Sequence, residues 1–192
     1  NRQAERDFVR AVHGEAVDNP AMERAAKVWN EEAARLLKQR NALGANVGQL
    51  DYAYIPQPAD IQRLLKLGEQ GYVDFMLPRL DRQRYVTSDG LPMNDAQVRT
   101  FLTHAYETLT TNGLNKLSPD TPARGLSSRA TRYNDAHRQI HFKSADSYLE
   151  YMDRLGQGSV FEAMQGHVHA ITKDIALMAE LRLLPRQNQS AC

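Results

Sequence analysis

One segment limits the possible folds of this chain more than any other. Residues 18 to 44 read DNPAMERAAKVWNEEAARLLKQRNALG. Met22, Ala25, Ala26, Trp29, Ala33, Leu36 and Leu37 recur at spacings of three to four, which is the period of one face of a helix. Asp18 or Asn19 can cap the first turn. Pro20 fits there because its missing N–H would have had no partner in the helix. Gly44 stops the run. A long amphipathic helix cannot hide its apolar stripe by itself, so the rest of the chain must supply surfaces to cover it. Trp29, the single tryptophan, is expected to anchor that contact as a core residue.

Other segments show the same habit. RQAERDFVRAVH (2–13) puts Phe8, Val9 and Val12 on one face and closes at Gly14. The stretch from Ala45 to Pro58 breaks the period with Gly48, Pro56 and Pro58, and is expected to be an extended loop. A helix is predicted from Ala59 to about Leu67, ended by Gly68. Another is predicted over YVDFMLPRLDRQRY (72–85), kinked or restarted by Pro78, whose ring displaces the carbonyl one turn earlier. After the turn TSDGLPMND, Asn94 is placed to cap DAQVRTFLTHAYETLTTNG, with Val98, Leu102, Ala105, Tyr106 and Leu109 inward. RQIHF (138–142) alternates like a short strand. Ser144 or Asp146 can cap ADSYLEYMDRL, closed by Gly156. The last long helix would carry Val160, Met164, Val168, Ile171, Ile175 and Met178 on one stripe.

The expected fold is therefore mostly α: an irregular helical bundle of six to seven helices with at most one short strand or hairpin. It divides into an N-terminal helical part (1–113), a basic Ser/Pro/Arg-rich connection (114–136), a C-terminal helical part (137–184) and a frayed polar tail (185–192). Hydrophobic residues make up 42% of the 192, enough for one good core. The chain opens on Asn1 rather than Met, as expected of a processed or excised piece of a longer protein.

Composition excludes several functions. Lys+Arg number 24 and Asp+Glu 23, so the net charge of +1 lacks the basic excess usual in nucleic-acid modules. One cysteine, Cys192, leaves no internal disulfide framework and no cysteine-based zinc site. No apolar run approaches the roughly 18 residues that span a bilayer.

Candidate chemistry is sparse. HRQIHFKSADSYLEY (137–151) gathers two histidines, a lysine, Asp146 and Glu150. His137 and His141 are four apart in a segment that reads as extended, which splays them. His167 and His169 are two apart on a helix and point to different sides. A site is conceivable only across the fold, from His141, His167 and a carboxylate such as Glu162 or Asp146, serving a hydrolase or transferase. Glu150, Asp153 and Glu162 follow the ordinary pattern of a solvent-facing charged helix. The GQGS stretch (156–159) precedes a helix, but it lacks a phosphate-binding lysine and a preceding strand, so it reads as a helix-to-helix turn. Arg124, Arg129, Arg132 and Arg138 make the connection locally basic. They suit phosphate contacts, which are salt-sensitive and blind to sequence, equally with contacts to a protein partner. No catalytic residue, cofactor or metal ligand set is assigned, and the balance leans away from an enzyme.

One resemblance adds to this reading. RQIHFKSADSYLEYMDRLGQGSVFEAMQGHVHAITKDIALMAEL (138–181) resembles a segment of large phage- and prophage-encoded virion proteins, through its HFKSADSYLEY core and its later FEAMQGH and DIALMAEL. Upstream, FMLPRLDRQR (75–84) and TNGLNK (111–116) resemble pieces of the same proteins in the same order, so the likeness covers roughly residues 40 to 181. The chain departs from the pattern at Arg182-Leu183-Leu184-Pro185, where those proteins continue with a Gly-Pro-Asn-Pro-like turn. The resemblance implies a non-enzymatic internal virion, DNA-ejection or minor head protein. Its partners would be other virion proteins, copies of itself and, through the arginines, DNA, and its location the phage head interior or ejection apparatus, with delivery into the host cell. It also implies that the 137–151 cluster is architecture, with His141 and Lys143 closing a strand and Tyr148, Leu149 and Met152 packing inward.

Overall fold

Side-chain caps set where the helices begin. The computed structural model describes residues 2–45, 47–48, 54–111 and 140–183, with 181–183 as backbone alone. Six α-helices run in the order α1 (Arg2–Val12), α2 (Pro20–Ala42), α3 (Ile61–Met76), α4 (Asp95–Thr110), α5 (Ala145–Leu155) and α6 (Val160–Leu183). The described residues are 72% helical and contain no strand or sheet, which is the mostly α bundle expected. The Asn19 side chain accepts from the Met22 N–H at 3.3 Å, and Pro20 occupies the first turn of α2. Asp60 accepts from the N–H groups of Gln62 and Arg63. Asn94 and Gln97 form a reciprocal capping box on α4, and Ser144 Oγ accepts from the Ser147 N–H. Each cap satisfies donors that the first turn leaves without a helical partner.

Between residues 59 and 85 the expectations hold in part. Gly68 does break the helical run. It takes φ 76° and ψ 165°, a conformation that favours glycine, and the helix resumes at once, so α3 is one kinked element reaching Met76. The helix expected over 72–85 stops at Met76 instead of passing through Pro78. Short 3-10 turns follow at Leu77–Arg79 and Arg82–Arg84, the second capped by Asp81, whose side chain accepts from the Gln83 N–H. RQIHF is likewise reduced among the described residues to a single antiparallel bridge, Phe142 with Leu80. Two backbone bonds flank it: the Asp81 N–H donates to His141 O, and the Lys143 N–H to Arg79 O. Leu80 lies between two helical turns, so its segment has no length to pair as a strand.

The core draws on all six helices. α1 packs on α2, α3 on α4, and α5 sits against both α1 and α3. Phe8, Leu64, Tyr72, Met76, Leu102 and Tyr148 are each at most 1% exposed within it. Trp29 joins them at 7%, as an anchor should. At roughly 1.5–3 kcal/mol for each large apolar side chain removed from water, this cluster is the main term holding the helices together. Arg79 pins the rim: its guanidinium meets Glu150 at 2.6 Å and lies 3.8 Å above the Phe75 ring. No described helix is long and apolar enough to cross a membrane.

Candidate functional site

An open, largely apolar groove lies where α6 meets α2. Trp29 forms one wall, buried through most of its ring, with its indole N–H donating to the Tyr54 carbonyl at 2.6 Å. Tyr54 in turn lies over His167, ring centres 4.6 Å apart, with its hydroxyl 3.3 Å from His167 Nδ1. Phe161, Met164 and Val168 form the other wall, and the groove between holds about 850 Å³, open to solvent. Phe161 remains 43% exposed although its ring touches Phe8, 5.4 Å away. Such a groove offers apolar and aromatic contact, edged by the polar side chains of Glu162, Gln165, His169 and Thr172.

The residues singled out from sequence are distributed as follows. Arg124, Arg129, Arg132 and Arg138 lie outside the described residues, as do His137, Ser127 and Ser128. His141 is held by its backbone: its N–H donates to the Tyr85 hydroxyl at 3.1 Å, and its ring meets Tyr85 edge-on at 6.0 Å. The His167 ring packs against Tyr54 and Trp29, behind the groove rather than lining it. Glu162 folds back on its own helix, accepting from the Ser159 N–H at 2.7 Å and the Ser159 hydroxyl at 3.0 Å. Those bonds, the backbone one first, hold its carboxyl below the usual glutamate range. Each of the three thus engages a different set of neighbours. Among the described residues, no group of three or more His, Cys, Asp or Glu side chains is arranged to hold a metal ion. Glu150 pairs with Arg79, and Asp153 faces Arg6 at 3.8 Å.

The structure also explains the GQGS turn. Ser159 and Glu162 make a reciprocal capping box, since the Glu162 N–H donates back to Ser159 Oγ at 3.2 Å. The Glu5 carboxylate takes the next free donor, the Val160 N–H, at 2.5 Å. Carboxylates therefore occupy the positions a phosphate would need. The S-x-x-E spacing of Ser159 and Glu162 was visible in sequence; the contribution of Glu5, 155 positions away, was not.

Arg40 was not anticipated either. It sits on the buried side of α2 at 8% exposure, and its Nη2 donates to Asp174 on α6 at 3.1 Å. A sequence reading assigns arginines to solvent by default, and only the α2–α6 contact shows otherwise. Compared with known protein families, curated proteins and solved structures, the chain matches none.

Proposed function

We propose that the chain is a non-enzymatic, helical assembly segment of a bacteriophage virion protein, of the internal, DNA-ejection or minor head class. It acts by docking against other virion proteins and copies of itself. The observation that carries the reading is the 138–181 run, which resembles such proteins and which the fold divides between the buried α5 and the partly open α6. The α6 portion presents Phe161 and Leu177 at 43% and 42% exposure, together with the groove beside Trp29. Apolar and aromatic surface of that kind suits protein contact. The alternative candidates His141, His167 and Glu162 serve packing and capping, which further supports an architectural role.

Phage particles purified from a host that carries the gene provide the test. Mass spectrometry is expected to find peptides of the chain at stoichiometric copy number in intact particles. A cryo-electron microscopy map of the particle would then locate the α6 surface in an interface. A parent protein absent from purified particles and monomeric at all concentrations would overturn the reading.

A further inference from the structure

The shared core ends before α2 and α6 do. On α2 the residues belonging to it or packed against it stop at Ala33, and on α6 they stop at Val168. Further along α2, Leu36 and Arg40 are nonetheless buried, at 2% and 8% exposure, and neither belongs to that core. On α6, Ile171, Ile175 and Met178 are half-buried and also lie outside it. Beside these apolar side chains the two helices share an ion pair: the Arg40 and Asp174 side chains, 10% and 27% exposed, meet at 3.1 Å. Gly166 lies in α6 shortly before this division. A Cβ built there would meet nothing within 4 Å, so packing does not demand a glycine. A glycine inside a helix gives up more backbone freedom than alanine and weakens the helix where it sits.

We propose that α6 is a two-part helix: residues 160–168 are fixed to the core, and the stretch from 169 onward is an arm that opens from α2, with the Arg40–Asp174 pair as its latch and Gly166, one turn earlier, weakening the helix near the junction. The two attachments differ in extent, and only the outer one includes an ion pair. Val160 and its core neighbours are held by apolar burial, which separates only when the core does. The latch is a partly buried ion pair, in which attraction is largely offset by the lost hydration of both groups. Released, both charges regain water, so the arm can open as a local event while the remaining helices stay closed. This device stands whether or not the protein is a virion component, because it rests on α2 and α6 alone.

Hydrogen–deuterium exchange on the full chain, read by mass spectrometry in peptides on either side of Gly166, tests it. Amides of 169–180 are expected to exchange at least about tenfold faster than those of 160–168, with α5 slower still. Asp174→Asn removes the charge at nearly constant helix propensity and should speed the arm several-fold without moving α5. Gly166→Ala should slow the arm by up to about fivefold. Should Asp174→Asn lose its fold, the paired variant Arg40→Met with Asp174→Leu replaces the ionic latch with an apolar one and should exchange no faster than wild type. Uniform exchange along α6, an arm indifferent to Asp174→Asn, or a fast-exchanging Arg40→Met, Asp174→Leu pair would each overturn the proposal.

Discussion

Helices α5 and α6 are neighbours in sequence and opposites in how they are held. Seven of the eleven residues of α5 are buried, among them Tyr148, Tyr151, Met152 and Leu155. Along α6, of the side chains described from 160 to 180, only Val160 is buried. Polar groups follow the same division. The tyrosines of α5 reach across to the 54–60 segment, the Tyr148 hydroxyl donating to Pro56 O at 2.8 Å and the Tyr151 hydroxyl to Gln57 O at 3.4 Å. At the end of α5, the Asp60 N–H donates to Leu155 O and the Gln157 N–H to Pro58 O. α5 is thus enclosed by apolar contact and by backbone, whereas α6 is anchored at its first turn and then along one side. Two adjacent helices built from similar residue types can serve a fold differently: one closes the core, the other leaves surface available.

That contrast makes its strongest demand at Tyr148. Truncation to alanine removes a ring that is 1% exposed and a hydrogen bond to Pro56, so Tyr148→Ala should cost about 3–5 kcal/mol in a denaturant titration. Ile175→Ala on the half-buried face of α6 should cost about 1 kcal/mol or less. Equal losses from the two would mean that α6 is as much a part of the core as α5.

Gly156 sharpens the comparison at the junction between these helices. Its φ of −72° is open to any residue, so conformation is not what requires glycine here. A Cβ would lie 2.7 Å from the Met152 Cα and carbonyl oxygen, and backbone cannot step aside as a flexible side chain can. The bridge to Ala59 and the Arg63 bond to the Gly156 carbonyl would shift with it. Gly156→Ala should therefore destabilise by about 1–3 kcal/mol. At Gly166, with open space around its Cβ position, the same substitution should be neutral or stabilising. Thermal unfolding of the two variants side by side decides the point.

Ser144 comes next in size. Its hydroxyl caps α5 through the Ser147 N–H and lies 3.0 Å from the Ser147 hydroxyl. Ser144→Ala should cost about 1 kcal/mol, recovered in most part by Asp at the same position, as measured by urea unfolding. A neutral Ser144→Ala would mean that burial alone, with no help from the cap, fixes the start of α5.

How much of this could be read from the chain follows the range of each interaction. Asn19, Asn94 and Ser144 were legible as caps, and Phe8, Val98 and Leu102 as inward residues, because both signals act within a few positions. Gly68 was recognised as a break, but not the helix that resumes directly beyond it, and the helix expected around Pro78 was carried too far. Whether a glycine at positive φ ends a helix or only bends it depends on whether the next turn has apolar residues to bury, and Tyr72, Val73 and Met76 do. Arg40 with Asp174, separated by 134 positions, and Glu5 with Val160, separated by 155, leave no local trace. The groove beside Trp29 belongs to the same class. Trp29, Met164 and Val168 were read as apolar stripe, whereas Phe161 was not, and which part of the stripe stays uncovered is decided by how α6 is set against α2.

The smallest effect distinguishes the two helix starts electrostatically. The cap of α5 is a neutral hydroxyl, whereas at the start of α6 the Ser159 hydroxyl is joined by the Glu162 and Glu5 carboxylates, so the Glu162 part of that cap should respond to acid. Donation from the Ser159 N–H and hydroxyl favours ionised Glu162, whose folded pKa lies below its ordinary value of 4.5. A depressed carboxylate contributes fully above that ordinary value, and its contribution disappears as pH falls through the lower, folded one. Glu162→Gln keeps an acceptor oxygen for both donors but carries no charge to complement the partial positive end of the helix. At about pH 6 the variant should show slightly faster amide exchange in the first turn of α6. As pH falls through the folded value and the wild-type carboxyl takes up its proton, the difference should narrow and then close. Because Glu162 lies at the surface, added salt should shrink the gap at the higher pH as well. A gap unchanged by acid and salt would show that Glu162 acts on α6 by shape alone, and the two helix starts would then be equivalent.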